Sequence, residues 1–360
     1  MKKKSMALDS PKRVEQLDTQ GMVQSIESLA LQCEQAWNDV KRIRVPRQYR
    51  TVENIVINGM GGSALGGHII AALFERELKK PLHVVNSYTV PGFVSRSTLY
   101  VISSYSGTTE EPVSTFREAR KRGAKVMFIG AGGTIAAYAK RYRIPAYIFE
   151  PQFNPSGQPR MGLGYSIVGQ VALFRRLGLL SVSDAAMRSV VERIIKLHHE
   201  YGVRVPASRN AAKEAALALH GAIPVYVGAQ HLAGNAHVCA NQTNENGKTF
   251  AAYFTVSELN HHLMEGLRYP ASNPRNLHFV FFESGRYLPK IQKRFTITQK
   301  VLRKSGIPFE AVRVRSTSAL EQVFEVLVFG SYLSFYLALL RGIDPSPIPF
   351  VDYFKKQLQQ

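Results

Sequence analysis

Residues 99–102 are apolar and run straight into Ser103-Ser104-Tyr105-Ser106-Gly107-Thr108-Thr109-Glu110-Glu111, after which apolar and charged residues alternate over 113–122. A short buried run, a turn and an amphipathic stretch in that order predict a strand, a tight turn and a helix start. Within the turn, the hydroxyls of Ser104, Ser106, Thr108 and Thr109 surround Gly107. A helix N-terminus presents unpaired N–H groups and a partial positive charge. Hydroxyl donors added to it suit a phosphate dianion. The same residues also suit an ordinary Ser/Thr helix cap.

The pattern recurs. Asn54-Ile55-Val56-Ile57-Asn58 leads into Gly59-Met60-Gly61-Gly62-Ser63-Ala64, a strand entering a glycine-rich turn and a helix. The turn satisfies the loose G-x-G-x-x-[GA] dinucleotide pattern. A dinucleotide site also wants an acidic residue after the second strand, to hold the ribose. The second strand, over 82–85, ends instead at Asn86-Ser87-Tyr88. What remains is a backbone-lined anion loop with Ser63 as an added donor. Further strands over 99–103, 126–130 and 146–149 and a helix over 134–141 predict an α/β domain with a mainly parallel, doubly wound sheet. Both loops fall at strand C-termini, where such sheets bind ligands, and can converge on one pocket.

Residues 1–47 read as a charged tail followed by an amphipathic packing helix over 20–43 that Pro46 ends. The first α/β domain spans 48–155. A helical connector, 156–205, opens with the turn-rich Asn154-Pro155-Ser156-Gly157-Gln158-Pro159-Arg160 and carries helices over 167–177 and 184–199. A second α/β unit, 206–342, echoes the first. Its Ile223 strand enters Gly228-Ala229-Gln230-His231, strands follow over 277–282 and 309–314, and helices over 287–304 and 318–340. The hydroxyl cluster is replaced there by Glu283-Ser284-Gly285-Arg286, so the anion grip is expected in the first unit only. Between the second unit's strands lie Asn244-Glu245-Asn246-Gly247-Lys248 and Ser257-Glu258-Leu259-Asn260-His261-His262. A carboxylate among amides at a helix end and a histidine in a polar turn are each candidate bases. Glu258 and Glu265 are rival carboxylates. Residues 343–360 read as a Pro-rich breaker and a short amphipathic helix carrying Lys355 and Lys356.

The chain has 360 residues, enough for two cored domains. No apolar segment follows Lys2-Lys3-Lys4 as in a signal peptide. The longest apolar run, 326–340, is interrupted by Gly330, Ser331 and Ser334 and reads as a buried helix rather than a membrane span. Cys33 and Cys239 stand far apart, in no metal-ligand spacing, which suggests inert thiols in a reducing compartment. Cytoplasm is the expected location. The net charge of +20 is unusual, but the basic residues are dispersed and no nucleic-acid-binding signature accompanies them. They predict a surface that attracts anionic metabolites.

Taken together, the glycine loop, Ser104-Tyr105-Ser106-Gly107-Thr108-Thr109-Glu110, Gln158-Pro159-Arg160, Asn244-Glu245-Asn246-Gly247-Lys248, Asn260-His261 and Lys355 resemble the bifunctional phosphoglucose/phosphomannose isomerase family. The resemblance spans nearly the whole chain. It implies two sugar-isomerase (SIS) domains flanked by N- and C-terminal helices. It also implies aldose–ketose isomerisation of glucose 6-phosphate and mannose 6-phosphate with fructose 6-phosphate. Gly62 and Ser63 match the family's glycine-loop contacts, and Ser104, Ser106 and Thr109 its phosphate-binding hydroxyls. Glu245 matches the base that moves a proton between C2 and C1, and Arg160 the cation beside the enediolate. His261 and Lys355 match the groups that open the ring and stabilise the substrate. The resemblance implies no metal or organic cofactor, no nucleic acid and no membrane. It implies a homodimer in which His261 serves the neighbouring subunit. Thr108 and His262 stand where the family usually has Asn, and Gly247 replaces a small Ala or Ser. The alternatives His261 or His262, and Lys355 or Lys356, stay open at this point. So does a non-catalytic sugar-phosphate sensor on the same fold.

Overall fold

Strands β1 (Asn54–Asn58), β2 (Leu82–Val85), β3 (Thr98–Ser103), β4 (Lys125–Gly130) and β5 (Ala146–Ile148) pair in parallel in the order β2-β1-β3-β4-β5. Every residue of β3 is buried, as a central parallel strand covered on both faces requires. A second parallel sheet follows, with β6 (Ile223–Gly228), β7 (Ala252–Thr255), β8 (Leu277–Glu283) and β9 (Phe309–Arg313) in the order β7-β6-β8-β9. In each sheet the second and third strands lie on opposite sides of the first, so the strand order reverses between β1 and β3 and between β6 and β8. The computed structural model describes residues 6–358; the basic run Lys2-Lys3-Lys4 lies outside them.

The duplicated, doubly wound architecture is the one the strand pattern predicts, with local differences. The edge strand β7 was not expected. It is four residues long and mostly half-exposed, so it shows neither a buried run nor a sustained alternation. The helix expected over 20–43 is two helices, Met22–Glu27 and Leu29–Val40. The break at Ser28 accompanies buried polar contacts that helical periodicity does not reveal. Gln32 Nε2 donates to Phe153 O at 2.9 Å and Met161 O at 3.0 Å, and Ser25 Oγ donates to Ser156 Oγ at 2.9 Å. Part of the expected charged tail is a further helix, Pro11–Leu17, capped by Ser10. Its Arg13 donates to Leu339 O at 2.8 and 3.1 Å. The connector helix starts before residue 167, as Leu163–Leu177, and an unanticipated helix spans Ala211–Leu219.

The long helix Ala319–Arg341 is apolar enough to cross a membrane, with mean hydropathy 1.9, yet 94% of its apolar window is buried inside the fold. Its apolar face is continuous because helices and sheet surround it. The small and polar residues that interrupt it are contacts. A Cβ on Gly330 would lie 2.4 Å from Cys239 Sγ. Ser331 Oγ accepts from Gln242 Nε2 at 3.1 Å, and Ser334 Oγ accepts from Asn246 Nδ2 at 3.1 Å. All three partners lie on or just past helix Ala233–Glu245. Burial raises the pKa of both thiols, Cys33 and Cys239, above the ordinary value.

This close approach is testable. Gly330→Ala should destabilise the chain by about 1–3 kcal/mol through overpacking against Cys239, read from urea unfolding midpoints. Adding Cys239→Ala should recover part of that loss, because contacting residues couple. Purely additive losses would contradict the contact.

Candidate active site

The hydroxyl turn forms at the end of β3, between the strand and helix Glu110–Lys121. Ser104 is fully buried. Its Oγ accepts from Gly107 N at 3.1 Å and Thr109 N at 3.4 Å and donates to Thr109 Oγ1 at 2.9 Å. Ser106 is exposed, and its Oγ accepts from Thr108 Oγ1 at 3.1 Å. Gly107 sits at φ 72°, and a Cβ there would meet Gly132 O at 1.8 Å. Only glycine fits that left-handed, crowded position.

The glycine loop lies directly beside it. Gly61 turns at φ 47° into helix Gly62–Leu73. Ser63 Oγ accepts from Tyr105 N at 2.8 Å, and Ser63 O accepts from Ser103 Oγ at 2.9 Å. Two helix N-termini and the hydroxyls of Ser63, Ser104, Ser106, Thr108 and Thr109 thus share one end of the first sheet. On its other side the glycine loop touches the connector: a Cβ on Gly62 would stand 2.8 Å from Arg160 N.

Arg160 is 1% exposed and its side chain reaches the second unit. Nε donates to Asn246 Oδ1. Nη1 donates to Gln158 Oε1 at 2.6 Å and Glu245 Oε2 at 3.3 Å. Nη2 donates to Pro345 O at 3.1 Å and Ser346 O at 2.8 Å. The five N–H groups of a guanidinium thus meet five acceptors. Burial lowers the Arg160 pKa from its ordinary value, and the Glu245 carboxylate opposes that shift. Glu245 is the last residue of helix Ala233–Glu245 and its side chain is 30% exposed. It is a partly open carboxylate whose one flank is fixed by a buried cation.

One chain therefore brings Gly62, Ser63, Ser104, Ser106, Thr109, Arg160 and Glu245 into one connected neighbourhood. It does not bring in His261 or Lys355. His261 is exposed on the short helix Leu259–His262, and its side chain makes no hydrogen bond or ion pair among the described residues. The adjacent His262 pairs with Glu258 at 2.6 Å, so both that histidine and that rival carboxylate are occupied with each other. Glu265 is exposed in the turn Glu265–Arg268. Lys355 and Lys356 lie on helix Pro349–Leu358, which buries no residue. A cavity of about 1220 Å³ lies elsewhere, lined among others by His198, Tyr201, Arg204 and Glu27. Among the described residues no group of three His, Cys, Asp or Glu side chains could hold a metal ion.

The sequence pattern points to no role for the side chains of Gln158 and Asn246 or for the main-chain carbonyls of Pro345 and Ser346, all partners of Arg160. Gln158 and Asn246 stand inside the quoted motifs and were discoverable as neighbours of Arg160 and Glu245. The tail carbonyls carry no side-chain signal.

Two parallel sheets that repeat one strand order, with the first helix of each in contact, define a double SIS-domain protein. A family profile described as "Bacterial phospho-glucose isomerase C-terminal SIS domain" matches residues 208–358. The chain is 31% identical over 344 residues to a bifunctional phosphoglucose/phosphomannose isomerase of Caldicellulosiruptor bescii, covering 94% of this chain and 99% of that one. It is 32% identical over 307 residues to the protein of the same name from Thermoplasma volcanium, covering 85% and 91%. A crystal structure of a hypothetical protein from Thermus thermophilus shares the fold with TM-score 0.70 at 17% identity, over 93% of this chain and 90% of that one. The chain belongs to the bifunctional phosphoglucose/phosphomannose isomerase family, and it is an isomerase.

The Arg160 hub predicts a stability effect. Arg160→Met should cost about 3–5 kcal/mol in urea unfolding, because it leaves a buried carbonyl and amide set without donors and Glu245 without its cation. A loss under about 1 kcal/mol would show that the five bonds do not hold the two units and the tail together.

Proposed function

We propose that this chain interconverts glucose 6-phosphate and mannose 6-phosphate with fructose 6-phosphate. The observation that carries the reading is Glu245 held 3.3 Å from buried Arg160, while Arg160's own backbone packs on Gly62 of the anion loop. Gly62, Ser63, Ser104, Ser106 and Thr109 hold the phosphate. Binding that remote end orients the reacting carbons. Once the ring is open, Glu245 removes the proton from C2, or from C1 in the reverse direction. The electron pair left behind forms the enediolate; in the aldose-to-ketose direction the hydroxyl proton on O2 passes to O1 as the carbonyl moves to C2, and Glu245 returns its proton to the neighbouring carbon. Arg160 has all five N–H groups matched within the fold. It therefore stabilises the developing negative oxygen through its fixed positive charge rather than through a free donor. A charge held in place in this way needs no reorganisation during the step. The enediolate is planar at C2, so protonation of either face leads to the glucose or the mannose epimer. The step moves hydrogen within one substrate and requires no external oxidant or reductant.

His261 and Lys355 enter the site from a homodimer in this proposal. Two observations support it. His261 is solvent-facing and unpaired among the described residues of its own chain, and the Lys355 helix exposes Phe350 by 89%, Tyr353 by 65% and Phe354 by 60%. Such a contiguous apolar face is characteristic of an interaction surface. In an isologous dimer each site would combine Glu245 of one subunit with His261 of the other.

Two experiments test these assignments. Glu245→Gln should keep sugar-phosphate binding within about threefold and lower kcat by at least about 10³-fold, measured with coupled assays for both epimers. An active Glu245→Gln contradicts the role of the base. Wild-type binding without exchange of the C2 hydrogen into solvent would favour the sensor instead. Mixing inactive Glu245→Gln and His261→Ala homodimers should restore about a quarter of wild-type activity after subunit exchange, since half the dimers then carry one intact site. No recovery in demonstrably mixed dimers contradicts the shared site.

A further inference from the structure

Lys248 lies three residues beyond Glu245, in left-handed backbone at φ 46°. For a residue other than glycine that conformation costs about 1 kcal/mol or more, and it persists only where the surroundings enforce it. The half-buried side chain turns back, and Nζ donates to the Glu245 carbonyl. It also donates to Pro345 O at 2.9 Å. Arg160 Nη2 donates to the same Pro345 oxygen at 3.1 Å. Two cations therefore converge on one tail carbonyl, each also bonded to Glu245, Arg160 through the carboxylate and Lys248 through the main chain. Ser346 N donates to Asp344 Oδ1 at 2.8 Å and completes the turn. Beyond it, helix Pro349–Leu358 buries nothing, so the Pro345–Ser346 peptide is where that helix is anchored to the fold.

We propose that Lys248 is a positioning residue of the isomerase: it locks the main chain of Glu245 and the tail peptide into one arrangement, fixing both the direction of the carboxylate and the point from which the Lys355 helix departs. This inference rests on the isomerase reading above. A lysine at a helix C-terminus is also an ordinary cap for the last carbonyls, and a cap alone would act on stability and leave turnover untouched.

The two roles separate in their dependence on pH. Burial lowers Lys248 from 10.5 to about 8; neighbouring Arg160 adds to the shift, while Glu245 and Asp344 oppose it. Between about 8 and 10.5 the unfolded chain binds this proton more strongly than the folded chain. This group's contribution to stability therefore rises with pH across that window. The charged latch is lost over the same window. Activity and stability should move in opposite directions.

The test measures kcat and KM for fructose 6-phosphate from about pH 6 to about pH 10 in the wild type, Lys248→Arg and Lys248→Met. Tryptic cleavage at Lys355 and Lys356 and melting temperature are followed in the same proteins. In the wild type, kcat should fall above about pH 8 with KM nearly unchanged. Lys248→Arg, charged throughout, should lose that alkaline fall. Lys248→Met should lower kcat about tenfold or more at every pH and speed tail cleavage about tenfold. Wild-type kcat in Lys248→Met, or an alkaline fall near pH 8 that survives in Lys248→Arg, overturns the assignment while the isomerase reading stands. A wild-type chain without isomerase activity overturns both.

Discussion

Burying a guanidinium costs several kcal/mol unless every donor is matched, and the donors of Arg160 are matched by partners from three separate parts of the chain. The partners come from the connector, from the end of helix Ala233–Glu245 and from the C-terminal peptide, up to 186 residues away in sequence. The same residue packs its backbone against Gly62. Arg160 is thus the point at which the anion loop of the first unit, the carboxylate of the second and the tail become a single object. Removing the charge would leave acceptors from all three without their donors.

The duplication explains how those parts come within reach. Helices Gly62–Leu73 and Ala233–Glu245 each follow the first strand of their unit, and they pack on each other. A Cβ on Gly234 would lie 2.7 Å from His68 O, and the rings of His68 and His237 stand 4.7 Å apart. With Gly62 and Glu245 joined through Arg160, the contacts run in opposite chain directions. The N-terminus of one helix, where an anion is favoured, therefore lies beside the C-terminal residue of the other. The second unit has a different turn at the end of its corresponding strand, Glu283-Ser284-Gly285-Arg286. Gln322 Oε1 accepts from Ser284 Oγ at 2.7 Å and lies 2.7 Å from His231 Nε2, so the turn after β8 is tied to the long helix Ala319–Arg341.

Much of this was legible in the sequence because it is local. Strands β1, β3 and β6 are apolar runs ended by glycine or hydroxyl turns, and their type and order follow from that pattern. Gly107 and Gly62 sit where a side chain has no room, which the glycine spacing announces. Ser10 followed by Pro11 carries a helix-start signal that the surrounding charge masked. The rest depends on distant partners. The split at Ser28 goes with the carbonyls that receive the Gln32 amide, and those carbonyls are 121 and 129 residues away. The value of Arg160 lies in acceptors that no spacing encodes. Lys248 stood inside a quoted motif, yet only the fold shows its ammonium and Arg160 sharing the Pro345 oxygen. His261 is the opposite case. Its sequence setting suggested chemistry, and its own chain leaves it facing solvent.

The account stands on one bound substrate spanning from the first unit's hydroxyl turn to the second unit's carboxylate. A crystal structure of the chain with fructose 6-phosphate measures that directly. The account predicts phosphate oxygens within hydrogen-bond distance of Ser104, Ser106 or Thr109, with C1 and C2 against the Glu245 carboxylate. A sugar phosphate seated instead in the cavity beside His198 and Arg204, with the Ser104–Thr109 turn empty, would contradict it.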